Sequence, residues 1–171
     1  MVHTFRMISH EEEGFVRDFS IRSDQSFFDL HMAIQDELGY DKSQMASFFL
    51  SNENWEKDRE ITLFEMSDDP KKESFIMDKV RIGQLVTELK QRILYVFDFF
   101  SDRCFYIELI KKEKEDPGTN YPLCIRAKGK IPVQIIMEDN NIDVFASDEF
   151  EDYDDQSDDI RLENIDDYGE F

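Results

Sequence analysis

The sequence predicts an α+β fold, a mainly antiparallel sheet with two inserted helices, followed by an acidic C-terminal tail. Three observations carry this. Short segments of alternating polar and apolar residues recur along residues 1–137, the period of half-buried strands. Only two segments, 26–39 and 82–91, repeat their apolar residues at helical spacing, and they interrupt runs of strands instead of alternating with them as βαβ units do. The charge is lopsided: residues 138–171 hold 15 acids and one base, Arg161, which is −14 of the chain's −20. Residues 1–137 form a mildly acidic body, long enough to bury about two-thirds of its unfolded surface around one core. Residues 138–171 form the tail.

Each element has a local reason. "VHTFRMIS" (2–9) places Phe5 and Met7 on one face, and "FVRDFSIR" (15–22) does the same with Phe15, Phe19 and Ile21. With Gly14 free to take positive φ between them, the two read as an antiparallel hairpin. "SFFDLHMAIQDELG" (26–39) opens on Ser26 as N-cap with Asp29 in the first turn. Its stripe of Phe27, Leu30, Ile34 and Leu38 ends at Gly39, a helix stop. "ASFFLS" (46–51) and "EITLFEM" (60–66) read as strands around a polar stretch containing Trp55, and 67–74 as a loop. "IGQLVTELKQ" (82–91) gathers Ile82, Leu85, Val86 and Leu89 as a short second helix. "RILYVFDFF" (92–100) is apolar on both faces, as a central strand requires. "CFYIELIKKEK" (104–114) is a strand with a charged end, "EDPGTN" a turn, and "YPLCIRA" (121–127) its returning partner. "IPVQIIM" (131–137) is expected to add a further strand.

Composition excludes several functions. Phosphate contacts need clustered Lys and Arg, and the most basic run, "KKEK" (111–114), contains its own acid and precedes Glu115 and Asp116. Direct nucleic-acid binding is therefore not expected. The six glycines never cluster, so no phosphate-cradling loop forms, and no Ser or Cys lies in a nucleophile elbow. Cys104 and Cys124 make no CxxC and too few thiolates for a structural zinc site. Pairing 121–127 with 104–114 about a tip at 115–120 would set them about 23 Å apart, beyond disulfide reach. The N-terminus lacks the apolar core of a signal peptide, and no apolar run approaches the roughly 18 residues of a membrane span. The expectation is a cytoplasmic protein with reduced thiols, no cofactor, no resident metal and no membrane partner. Composition sets no oligomeric state.

Three segments resemble the Ri-plasmid ORF-three-like family of the pRiA type, some members of which are described as passenger proteins of transposable elements. "LHMAIQDELGY" (30–40) is similar to its Leu-His-x-x-Ile-Gln helix ending in Gly and an aromatic. "YVFDFF" (95–100) resembles its Tyr-x-Tyr-Asp-Phe-Gly strand, and "YPLC…G…P" (121–132) its Pro-x-Cys…Gly…Pro segment. The resemblance covers about residues 1–135 and leaves out the tail. Where the family strand continues Gly-Asp-x-Trp-x-His, this chain has Phe100, Ser101, Arg103 and Phe105, and "IPVQI" replaces the family's Pro-Pro-Glu-Asp. The resemblance implies a fold and a mobile-element association. It also implies that any chemistry those polar residues perform in relatives is lost here.

The candidate polar site comprises His31, Gln35, Asp98 and Asp102. His31 and Gln35 are four apart and adjacent on one helix surface. They form either a small site with His31 as base or ligand or an ordinary packed pair. Asp98 is the only charge in "ILYVFDFF", so it needs a partner. On a continuous strand Asp98 and Asp102 would stand about 13 Å apart, too far for joint acid–base work unless the chain turns between them. The tail approaches an EF-hand loop from Asp152 to Glu163 but has Ser157 where Gly is required and Asp159 at the apolar position. What remains is acid–aromatic alternation, with Phe145, Phe150, Tyr153 and Tyr168 as candidate partner-binding residues. Such a tail is either a solubilising coil or a segment that docks on a basic, grooved protein or on its own body. The expected function is a non-enzymatic interaction or regulatory module with a basic protein partner. The alternative is a metal-assisted enzyme, or enzyme accessory of a mobile element, built on Asp98, Asp102 and His31.

Overall fold

A computed structural model describes residues 1–137. Among them one eight-stranded sheet runs in the order β5-β4-β3-β6-β7-β1-β2-β8, antiparallel throughout except for the short β4–β5 pair. The strands are β1 (Val2–Ile8), β2 (Val16–Arg22), β3 (Ser47–Ser51), β4 (Lys57–Thr62), β5 (Phe75–Ile76), β6 (Arg92–Asp98), β7 (Arg103–Glu113) and β8 (Leu123–Lys128). Two helices interrupt them, α1 (Phe27–Leu38) after β2 and α2 (Ile82–Leu85) before β6. The α+β prediction therefore holds for the body. The tail lies outside the described residues.

The predicted hairpin of β1 and β2 forms in register, Phe5 opposite Phe19 and Met7 opposite Arg17. The long helix forms within a residue of its predicted bounds. Ser26 Oγ accepts from Asp29 N at 3.1 Å and Asp29 Oδ2 accepts from Ser26 N at 2.8 Å, a complete capping box. Gly39 ends the helix at φ +63°, the left-handed cap glycine takes without strain. The stripe buries Phe27, Leu30, Ile34 and Leu38 against the sheet face that carries Phe5, Phe19, Phe48, Tyr95 and Phe105. Aromatic rings knit that core: Phe27 meets Phe48 at 5.4 Å and Phe48 meets Tyr95 at 4.8 Å.

The opposite face carries the paired charges, with Leu94 and Val96 buried beside them on β6. Direct cross-strand register aligns Arg92, Glu108, Arg6, Asp18 and Arg126 across five strands, a row of alternating sign. Arg6 binds Asp18 through two bonds of 2.9 and 2.8 Å, and Arg92 binds Glu108 at 3.2 Å. Beside this row Tyr106 stacks on His10 at 3.9 Å, with Trp55 against its edge.

Several expectations are corrected. "YPLCIRA" does not return beside β7: β8 pairs with β2, and β7 is already flanked by β6 and β1. Residues 114–122 are thus a crossover past β1 and β2 to the sheet edge. Both cysteines are free, as expected, but the pairing used to separate them is not the one that forms. Residues 131–137 make no strand and run as irregular chain past the end of α1. The second helix is one turn, 82–85, because Gln91 folds back: its Oε1 accepts from Thr87 N and its Nε2 donates to Leu85 O. Strand β4 starts three residues earlier than predicted and ends at Thr62, and the two-residue β5 falls just beyond the predicted loop.

Candidate functional site

α1 and β6 bring His31 and Gln35 together on one residue that composition did not single out. Tyr95 Oη lies 2.7 Å from His31 Nδ1 and accepts from Gln35 Nε2 at 2.7 Å. The Tyr95 hydroxyl is thus the shared partner of the imidazole and the amide. All three side chains are buried. Burial, helped by the Lys42 charge, pushes the His31 pKa down to about 4, and burial raises that of the Tyr95 hydroxyl. His31 is thus a neutral, hydrogen-bonded imidazole inside the core and a weak base. Gln35 Oε1 finds no partner among the described residues.

Asp98 belongs to a different structure. It ends β6, and its Oδ1 accepts from Phe100 N at 3.0 Å and Ser101 N at 3.3 Å, the side chain closing the turn into β7. Its Oδ2 lies 3.7 Å from Arg103. Asp102, at φ +51°, completes the turn and pairs with Lys57. The chain does turn between the two aspartates, but each carboxylate is committed to its own partner and neither bonds His31 or Gln35. Among the described residues no group of three or more His, Cys, Asp and Glu side chains is placed to hold a metal ion. Cys104 and Cys124 are partly buried, and burial raises both thiol pKa values, which disfavours the thiolate.

The residues that replace the family pattern have structural work. Phe105, where the family strand has His, is fully buried opposite Tyr95 and packs on Phe97 at 4.8 Å and Phe15 at 5.3 Å. Arg103, where the family has Trp, lies over the Phe97 ring, binds Glu11 at 2.7 Å and donates to the carbonyls of Val133 and Gln134. Tyr40, just past α1, donates to Pro132 O at 2.6 Å, and Asp41 exchanges two bonds with the Gln134 side chain. These anchors fix the irregular 131–137 segment at the hairpin end of the sheet. Their partners lie some 30 to 90 residues apart in the chain, so no local signal announced them. The four candidate partner-binding residues, Phe145, Phe150, Tyr153 and Tyr168, lie outside the described residues.

Fold and site together define a nearly all-antiparallel eight-stranded sheet with one long helix on its core face and a buried His–Tyr–Gln hub. The chain belongs to the plasmid pRiA4b ORF-3-like protein family, whose model matches residues 7–158. The match extends past residue 135 into the acidic segment, further than the motif resemblance reached. A solved structure, the protein of unknown function MM3350 from Methanosarcina mazei Go1, shares the fold: the TM-score is 0.60 at 20% identity, over 74% of this chain and 68% of that one. No curated protein matches the chain. Among the described residues no helix is long and apolar enough to cross a membrane.

Proposed function

We propose that this chain is a non-enzymatic interaction module whose acidic segment, 138–171, binds a basic protein surface. The observation that carries the reading is the charge distribution: 15 acids with a single base after residue 137, interleaved with Phe145, Phe150, Tyr153 and Tyr168. Carboxylates supply long-range attraction and association rate, while aromatic side chains supply the desolvated anchors that a purely solvating tail lacks. The geometry of the body supports it from the other side. His31 and Gln35 are bonded to Tyr95, Asp98 to backbone amides and Asp102 to Lys57, so among the described residues these four do not converge on one site. Free Cys104 and Cys124 are compatible with the reducing cytoplasm, and the family's plasmid description supports a mobile-element setting.

The experiment compares the full chain with one lacking 138–171 for retention on a poly-lysine resin, with circular dichroism of both. The expected result is a folded truncated body that is no longer retained. Equal retention of the two would sink the reading. Loss of the fold on truncation would show that the tail belongs to the core.

A further inference from the structure

We propose that the outer edge of β8 is a docking site for an extended acidic peptide, which adds to the sheet as a further strand. The site belongs to the body and is independent of the reading of residues 138–171. β8 ends the strand order with β2 as its partner, and among the described residues no backbone–backbone hydrogen bond reaches its other side. Residues 125–128 are all exposed. Beyond the irregularity at Ile125, residues 126–128 pair with β2 in unbroken register. Alternate residues of an antiparallel strand turn their N–H and C=O groups to opposite sides. Half of those on β8 therefore point away from β2, and such an edge templates a further strand.

Charge selects the occupant. Register sets Arg92, Glu108, Arg6, Asp18 and Arg126 in a row of alternating sign, and the row stops at the free edge on a cation. Lys128, two residues on and opposite Val16, shares that face of the sheet. The acids around the edge are already committed. Asp18 takes two bonds from Arg6, Arg17 holds Glu37 at 2.9 Å, and Lys130 holds Glu12 at 3.4 Å. Among the described residues Arg126 and Lys128 form no ion pair.

A strand with carboxylates two residues apart sets one opposite Arg126 and one opposite Lys128, which continues the alternation across the new pair. A second copy of β8 in that place would bring these cations against themselves, and like charges directly opposite are destabilising. The chain's total of −20 does not decide between them. At physiological ionic strength an exposed charge acts over about 8 Å, so the nearest unpaired groups select the strand.

The test titrates the full chain with a short peptide alternating Thr and Glu. A scrambled peptide of the same residues and a Thr–Lys alternation serve as comparisons. Saturable binding of the Thr–Glu peptide is expected, with the scrambled one weaker. Arg126→Glu with Lys128→Glu, both at exposed positions, is expected to weaken it by about tenfold or more and to bind the Thr–Lys peptide instead. Lys71→Glu, exposed in the loop before β5, leaves binding unchanged. Backbone N-methylation at every Thr or at every Glu separates strand pairing from charge alone. One set of amides faces β8 and its methylation abolishes binding, while the other faces away and its methylation does not. Two methylated peptides that both bind like the parent, or a charge-reversed variant that binds like wild type, would overturn the site. A dimer of the full chain that dissociates on Arg126→Glu with Lys128→Glu overturns the peptide in favour of a second copy. Peptide binding that appears only after the acids from Asp148 to Asp159 become Asn or Gln overturns it in favour of the chain's own segment.

Discussion

Tyr95 holds the polar part of the core together, since its hydroxyl is the shared partner of His31 and Gln35. Replacing it with Phe leaves two buried polar groups without a partner, at about 1–3 kcal/mol for each orphaned group. Y95F is therefore expected to lower the urea midpoint by an amount equivalent to about 2–6 kcal/mol without changing the fold, and an unchanged midpoint would contradict the hub. The same residues set an acid limit. His31 holds a pKa of about 4 in the folded chain against 6.5 unfolded, and burial lowers His3 as well. A base with a depressed folded pKa costs nothing above the unfolded value. As pH falls from 6.5 towards 4, the unfolded chain takes up protons that the folded one refuses, and stability drops by up to about 3 kcal/mol from His31 alone. Denaturation midpoints measured between pH 7 and pH 4.5 should fall steadily, and should fall less in His31→Gln. The pair on the helix was legible because His31 and Gln35 are four residues apart. Tyr95 was not, being one of seven residues in a strand whose neighbours all read as core.

At the scale of elements, legibility follows how local the determinants are. The cap, stripe and stop of α1 lie within fourteen consecutive residues, and each forms as read. Ser26→Ala is expected to cost about 1 kcal/mol by removing the acceptor for Asp29 N, measurable by thermal or urea denaturation. The edge strand was misplaced for the opposite reason. Nothing within residues 121–128 says whether they lie beside β7 or β2; that choice is made by β1, which occupies the free side of β7. One local consequence of the true placement is at Gly129, where φ is +80° and a Cβ would stand 2.5 Å from Gly14 O and 2.7 Å from Phe15 Cα. Gly129→Ala is expected to destabilise by more than the roughly 1 kcal/mol of a positive-φ alanine alone, because two backbones must part at the end of β8. A variant as stable as wild type would show that this approach is not needed. The second helix was overread because Leu89 matches the stripe but is exposed, the chain having turned back at Gln91.

At the scale of the molecule, charge and shape separate. The body pairs its charges on one sheet face, as the row from Arg92 to Arg126 shows, and gathers most of its large apolar residues into a core on the other. The negative excess is displaced into 138–171, next in sequence to the exposed 133–136 segment. That division was readable in composition alone, whereas the exposure of Phe99 and Phe100 was not. Phe99 and Phe100 continue an apolar run that reads as buried strand, but they lie exposed in the turn that Asp98 caps. The most direct measurement is the affinity of the full chain for poly-lysine as sodium chloride is raised. The comparison is a variant in which the acids from Asp148 to Asp159 become Asn or Gln. The account predicts wild-type binding that weakens steeply with salt, and a variant that binds less tightly with a flatter dependence. Wild-type affinity that does not change with salt, or a neutralised variant that binds as tightly as wild type, would contradict it.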